Sequence, residues 1–111
     1  METLNYIGAI FTLIFGIGAF ILPNQFAKLI FLTPVENKGT TEIRSTYGGL
    51  VMGLGGYALW SQSEMVFQCL ATGWFAIAAA RVLSTRIDNS YNDYTLVFIV
   101  IEIGIGLLCF V

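Results

Sequence analysis

The sequence predicts an all-α fold: an integral membrane four-helix bundle with a short interfacial helix between helices one and two. Of the 111 residues, 57% are hydrophobic and only 11% are charged, and the mean hydropathy is +0.80. Soluble domains are about 45–50% apolar and about 25% charged, and a chain this short buries too little surface to hide the excess. The net charge of −2 argues against a nucleic-acid partner, which needs a basic surface. The partner that the composition indicates is the lipid bilayer.

Four apolar segments are predicted to form the bundle. They cover approximately residues 4–22, 43–60, 65–83 and 94–111. Each is long enough for a helix to cross about 30 Å of hydrocarbon, and a helix satisfies its own backbone hydrogen bonds in lipid. The segments fill the chain, so we expect a single domain over residues 1–111.

The segments between the apolar stretches predict a short interfacial helix and a helical hairpin. Pro23 ends the first helix, and residues 25–32 place Phe26 and Ile30 on one side of a short amphipathic helix. This pattern is typical of a helix that lies at the membrane surface. The connection at residues 61–63 is so short that helices two and three are predicted to form a tight hairpin.

The basic residues indicate an orientation. In a four-span topology all five belong to one side of the membrane: Lys28, Lys38, Arg44, Arg81 and Arg86. The positive-inside rule makes that side cytoplasmic and places both termini outside.

Ionisable side chains inside apolar helices are the candidate functional residues, because each costs about 2.5–3.5 kcal/mol to insert. Glu102 interrupts the fourth segment and Arg81 lies just inside the end of the third. Their depths from the same membrane face match, so we expect an ion pair between them. The complete predicted cluster is Glu42, Arg44, Tyr47, Arg81, Ser84 and Glu102. Such a cluster ties helices together, binds a small ligand or moves protons, and the sequence leaves these roles open.

Small residues form a second pattern. The predicted helix-packing residues are Gly49, Gly53, Gly56, Ala76 and Ala80, because small side chains spaced by four allow membrane helices to approach closely. Four helices cannot use every glycine face within one chain. We therefore expect a closed homo-oligomer, a dimer or trimer.

The second helix opens with residues 42–49, which read E-x-R-x-x-Y-G-G. Further marks are Pro23, Phe26, Arg81-Val82-Leu83-Ser84, Asp88 and Glu102. In these features the chain resembles a family of small bacterial four-helix membrane proteins of unknown function, over nearly its whole length. The resemblance implies the fold, the polar cluster and a multi-pass location in the bacterial inner (cytoplasmic) membrane. It implies no reaction.

The sequence is compatible with three functions. The first is a non-enzymatic inner-membrane protein that self-associates, binds phospholipid and supports the envelope as a permeability barrier. The second is a small transporter or channel that uses Arg81 and Glu102, and the third is an accessory subunit of a larger membrane complex. We do not expect an enzyme, because Ser45 and Ser84 lack a base. We also expect no cofactor and no metal, since the chain has no His.

Overall fold

The computed structural model describes residues 2–111, and within this range every regular element is a helix. The elements are α1 (Glu2–Ile21), α2 (Pro23–Leu29), α3 (Asn37–Glu42), a π-helical segment (Ile43–Leu50), α4 (Val51–Ser61), α5 (Glu64–Ile87) and α6 (Asp93–Phe110). Among the described residues, three helices are long and apolar enough to cross a membrane: Thr3–Ile21, Glu64–Ile87 and Asp93–Phe110.

The second predicted apolar segment is more complex than the sequence suggests. The backbone stays helical from α3 through the π-helical segment into α4, so one continuous helical path runs from Asn37 to Ser61. It begins six residues before the predicted start at Ile43. π-helical turns are rare and occur often at functional sites. Here they carry the motif residues Arg44, Tyr47 and Gly48.

The short helix predicted between helices one and two is present as α2. Pro23 occupies its first turn, where the missing N–H costs nothing. After α2 the chain turns at Phe31, whose φ of 63° is left-handed. The Phe31 ring packs against Tyr94 and Phe98 of α6, with ring centroids 5.5 and 6.4 Å apart. The turn after α2 therefore reaches across one end of the structure to α6.

Glycines set the distance between α1 and the second helical path. A Cβ at Gly16 would collide with the backbone of Met52, and one at Gly48 would lie 2.9 Å from the Cβ of Phe20. At Gly55 it would lie 2.8 Å from the backbone nitrogen of Leu13. These pairs run in opposite directions along the two helices, so the helices are antiparallel and in near-backbone contact.

The close contacts between α1 and this helical path use other small residues than the five that the sequence pattern predicts. The five predicted packing residues lie away from the close contacts: Gly49, Gly53, Gly56, Ala76 and Ala80. A Cβ at Gly53 would meet nothing within 4 Å, and one at Gly56 would make only an ordinary contact with Leu13. Gly48 and Gly55 are seven residues, or almost two turns, apart, so they share the face toward α1. The other three glycines, Gly49, Gly53 and Gly56, therefore lie off this face.

Polar groups link α1 to α5 and α6. The Trp74 indole Nε1 donates to Thr12 Oγ1 over 2.9 Å, and Thr12 in turn donates to the carbonyl of Gly8. The side-chain amide of Asn5, oriented by its surroundings, donates to the carbonyls of Leu108 and Cys109 in the last turn of α6. These buried bonds fix the relative positions of the three helices.

Candidate functional site

A cavity of about 360 Å³ lies between α5 and the helical path formed by the π-helical segment and α4. It exists because α5 packs mainly against α6 and touches α4 much less. Helix α1 lies behind the gap and contributes Thr12 and Phe15, while α2 contributes Phe26 and Ile30 at one end. We call this space the cleft.

The cleft has a buried floor and an exposed rim. Thr12, Leu70 and Trp74 on its floor are at most 7% exposed. Leu50 and Leu54 on one side of the rim are about half exposed. The cleft therefore opens onto the outer apolar surface of the chain beside Leu50 and Leu54.

An ion pair occupies one end of the cleft. The Arg81 Nε donates to both carboxylate oxygens of Glu102, over 3.0 and 3.2 Å, and Nη2 donates to Oε2 over 2.6 Å. The guanidinium also lies over the ring of Phe98, 5.1 Å from its centroid. The predicted contact between Arg81 and Glu102 is thus present. Glu102 is the more buried partner, with its side chain 8% exposed against 31% for Arg81.

The pair uses only part of the guanidinium. A guanidinium carries five N–H donors, and Glu102 accepts from Nε and Nη2. Within residues 2–111, Nη1 donates no hydrogen bond. Tyr47 and Thr46 of the π-helical segment line the cleft together with the pair. The mostly apolar cleft is therefore lined by a guanidinium with unused donors and by two residues of the π-helical segment that carry hydroxyl groups.

Arg44 does not join this cluster, contrary to the prediction. Its Nε donates to the carbonyl of Phe20 over 3.1 Å. Carbonyls in the last turn of a helix lack partners within the helix, and Phe20 lies in the last turn of α1. Arg44 therefore satisfies the end of α1 and ties the π-helical segment to it.

Two other predicted members also lie apart. Glu42 lines a second cavity of about 330 Å³ beside the turn that contains Pro34. Ser84 is exposed and lines neither of the two cavities described. Of the six predicted residues, the structure brings together Tyr47, Arg81 and Glu102.

Comparison with known protein families gives one match that covers almost the whole chain. A family model described as a domain of unknown function, DUF4345, matches residues 2–111. The chain belongs to the DUF4345 family. No curated protein and no solved structure matches it. In this DUF4345 member the cleft is the feature with the form of a ligand site.

Sequence reasoning missed the face of α5 that lines the cleft. Cys69, Gly73, Ile77 and Arg81 are spaced by four, and such residues lie on one side of a helix. A line of apolar and small side chains that leads to a charged one was a usable signal. It was hidden because Ala76 and Ala80 in the same helix suggested packing on a different face.

Among the residues that the structure describes, no three His, Cys, Asp or Glu side chains group closely enough to hold an ion. Both cysteines are free thiols, with Cys109 buried and Cys69 on the cleft wall.

Proposed function

We propose that this protein is a non-enzymatic, four-span membrane protein that holds a lipid acyl chain in the cleft. The observation that carries the proposal is the form of the cleft: an apolar groove with a buried floor and a lateral opening, closed at one end by the Arg81–Glu102 pair. Ligand sites are typically concave and mostly apolar, with a few polar groups that fix orientation.

The helix that packs against α1 supports the proposed four-span topology. Gly48 lies against Phe20 and Gly55 against Leu13, so the helical path from Asn37 to Ser61 accompanies α1 over most of its length. If α1 crosses the hydrocarbon, its antiparallel neighbour occupies the same depths. The exposed side chains of this neighbour include Leu50 and Leu54, which suit a lipid environment.

The dimensions of the cleft suit one acyl chain. Its volume lies near the lower end of the roughly 300–1,000 Å³ found for ligand pockets. Along α5 its lining extends from Cys69 to Arg81, about 18 Å at the helical rise. One leaflet accounts for about half of the roughly 30 Å hydrocarbon thickness. Arg81 lies within one turn of the polar run that begins at Ser84, so the charged end is near head-group depth.

Substitution of Gly73 tests whether a chain enters. Gly73 lines the cleft, and a Cβ there would meet nothing within 4 Å. Gly73→Leu therefore adds side-chain volume to the cleft from a position where its Cβ meets no other atom, and it raises helix propensity. Gly104→Leu on α6 is the matched control, because Gly104 is equally free of contacts and lies outside the cleft lining.

Trp74 provides the readout. The chain has two tryptophans, and in a Trp60→Phe background only Trp74, on the cleft floor, fluoresces. Because Trp74 lines the cleft and is only 5% exposed, a bromine-labelled acyl chain approaches its indole most closely from inside the cleft. In bilayers with a minor fraction of brominated phosphatidylcholine, we expect quenching in the background protein and in Gly104→Leu, and its loss in Gly73→Leu. Equal quenching in all three would refute the proposal.

We further propose that the protein self-associates as a dimer or trimer. The support is that Gly53 faces open space and that Ala76 and Ala80 are exposed, so these small residues are free to contact a second copy. Native mass spectrometry after gentle release from membranes should detect a discrete homo-oligomer. Gly53→Leu should reduce it to monomer, and an unchanged oligomer would exclude this face.

At the level of the cell, we propose that the protein lies in a bacterial inner membrane and supports the permeability barrier of the envelope. The lipid-facing surface and the lateral cleft favour a role among lipids. A deletion strain should become more sensitive to detergents, and the wild-type gene should restore resistance where the Gly73→Leu gene does not. Ion flux through reconstituted vesicles that stops in Glu102→Gln would favour transport instead.

A further inference from the structure

The polar end of the cleft has the chemistry of a site for an anionic head group. We infer that the cleft takes the acyl chain of an acidic lipid and that the phosphate of this lipid binds the free edge of Arg81. The inference rests on the proposed acyl-chain function and adds the class of ligand to it.

The geometry of the ion pair supplies the first argument. Glu102 occupies the side edge of the guanidinium, formed by Nε and one N–H of Nη2. A guanidinium has a second edge that can bind two oxygens at once. This end edge is formed by Nη1 and the second N–H of Nη2. Such a fork matches phosphate, and hydrogen bonds between ionised partners are the strong ones. The Arg81 side chain is about one-third exposed, and within residues 2–111 its Nη1 donates no hydrogen bond.

The neighbouring hydroxyls supply the second argument. Thr46 and Tyr47 belong to the π-helical segment, on the opposite wall of the cleft from Arg81. A phosphate between the walls has enough acceptor oxygens for the guanidinium and both hydroxyl groups. The donor set is richer than a neutral head group requires, and Arg81 and Glu102 are the only charged residues lining the cleft among the residues described.

The charge of Glu102 predicts the direction in which phosphate binding changes when this residue is substituted. Its carboxylate holds Arg81 in place over Phe98, but it also repels a second anion. Removal of that charge should therefore strengthen phosphate binding, provided that Arg81 stays in place. Removal of both charges should abolish the preference for phosphate and leave the apolar part of the cleft unchanged.

Two lipids that differ only by phosphate test the head group. In the Trp60→Phe protein, brominated lysophosphatidic acid is compared with the monoacylglycerol that carries the same brominated chain. The phosphate lipid should quench Trp74 at a mole fraction about ten- to a hundred-fold lower, as a charge-assisted hydrogen bond predicts. Equal potency would overturn the inference while leaving the acyl-chain proposal intact. Failure of both lipids to quench would refute the acyl-chain proposal itself.

Charge variants separate binding from folding. Glu102→Gln should increase the ratio of the two potencies, and Arg81→Gln/Glu102→Gln should bring it close to one. The double variant keeps the side-chain volumes and leaves no lone buried charge, so quenching by the monoacylglycerol reports that the cleft is still formed. A phosphate preference that survives in the double variant would overturn the assignment to Arg81. Displacement of the lipid by inorganic phosphate alone would overturn the lipid as the source of the anion.

Discussion

Gly55 and Gly53 lie two positions apart on α4, and the structure predicts opposite effects for the same substitution. At Gly55 a methyl group would lie 2.8 Å from the Leu13 nitrogen and 3.1 Å from the Ala9 carbonyl oxygen. Both are backbone atoms and cannot swing aside, so α1 and α4 must separate. At Gly53 the methyl group would meet nothing within 4 Å.

The expected free energies of unfolding follow from two terms. Alanine is favoured over glycine in a helix by up to about 1 kcal/mol, and this gain applies at both positions. Overpacking costs about 1–3 kcal/mol, and this cost applies only at Gly55. Gly53→Ala should therefore be neutral or slightly stabilising, and Gly55→Ala should unfold more easily by about 1–3 kcal/mol relative to it.

Reversible unfolding in mixed detergent micelles measures this difference. Gly18→Ala is a second control, because Gly18 lies on α1 and also faces open space. If Gly53→Ala changes the free energy of unfolding and Gly18→Ala does not, the difference reports self-association through Gly53 rather than packing within the chain. If Gly53→Ala destabilised the monomer as much as Gly55→Ala, the described contact between α1 and α4 would be wrong.

Three further predictions concern polar groups, and each is measured by the same unfolding assay. Arg81→Gln leaves Glu102 unpaired and should destabilise by up to about 3–5 kcal/mol, whereas adding Glu102→Gln should recover most of the loss; a double variant no better than the single would contradict the pairing. Asn92→Ala removes the capping box of α6 and should cost about 1 kcal/mol; no change would mean that the cap is dispensable. Trp74→Phe removes the hydrogen bond to Thr12 and should cost at least about 1 kcal/mol, and a smaller loss would show that this bond contributes little.

Much of the fold was predictable from the length and composition of the apolar segments. Long apolar segments in a short chain must be helices that satisfy their own backbone, and Pro23 marks the break before α2. The predicted ion pair between Arg81 and Glu102 is also present. Its prediction needed only the helical rise and the loop that joins the two helices, because these two facts set their relative depth.

The rest of the site was not predictable, because it depends on which helix faces meet. Arg44 and Tyr47 are three residues apart and were expected to act together. Arg44 instead binds the carbonyl of Phe20, while Tyr47 lines the cleft. The sequence contains no sign that this stretch is π-helical, and a wider turn changes the direction of every side chain in it.

What the sequence by itself determined is the helical class, the presence of helices long and apolar enough to cross a membrane, and the ion pair between Arg81 and Glu102. These properties follow from composition, segment length and the rise of a helix, which are all local. The tertiary structure alone decided that Gly48 and Gly55 pack against α1 and that α5 packs against α6 more than against α4. The cleft results from this arrangement. These are choices among competing helix faces of similar hydrophobicity, and close packing of the whole chain settles them.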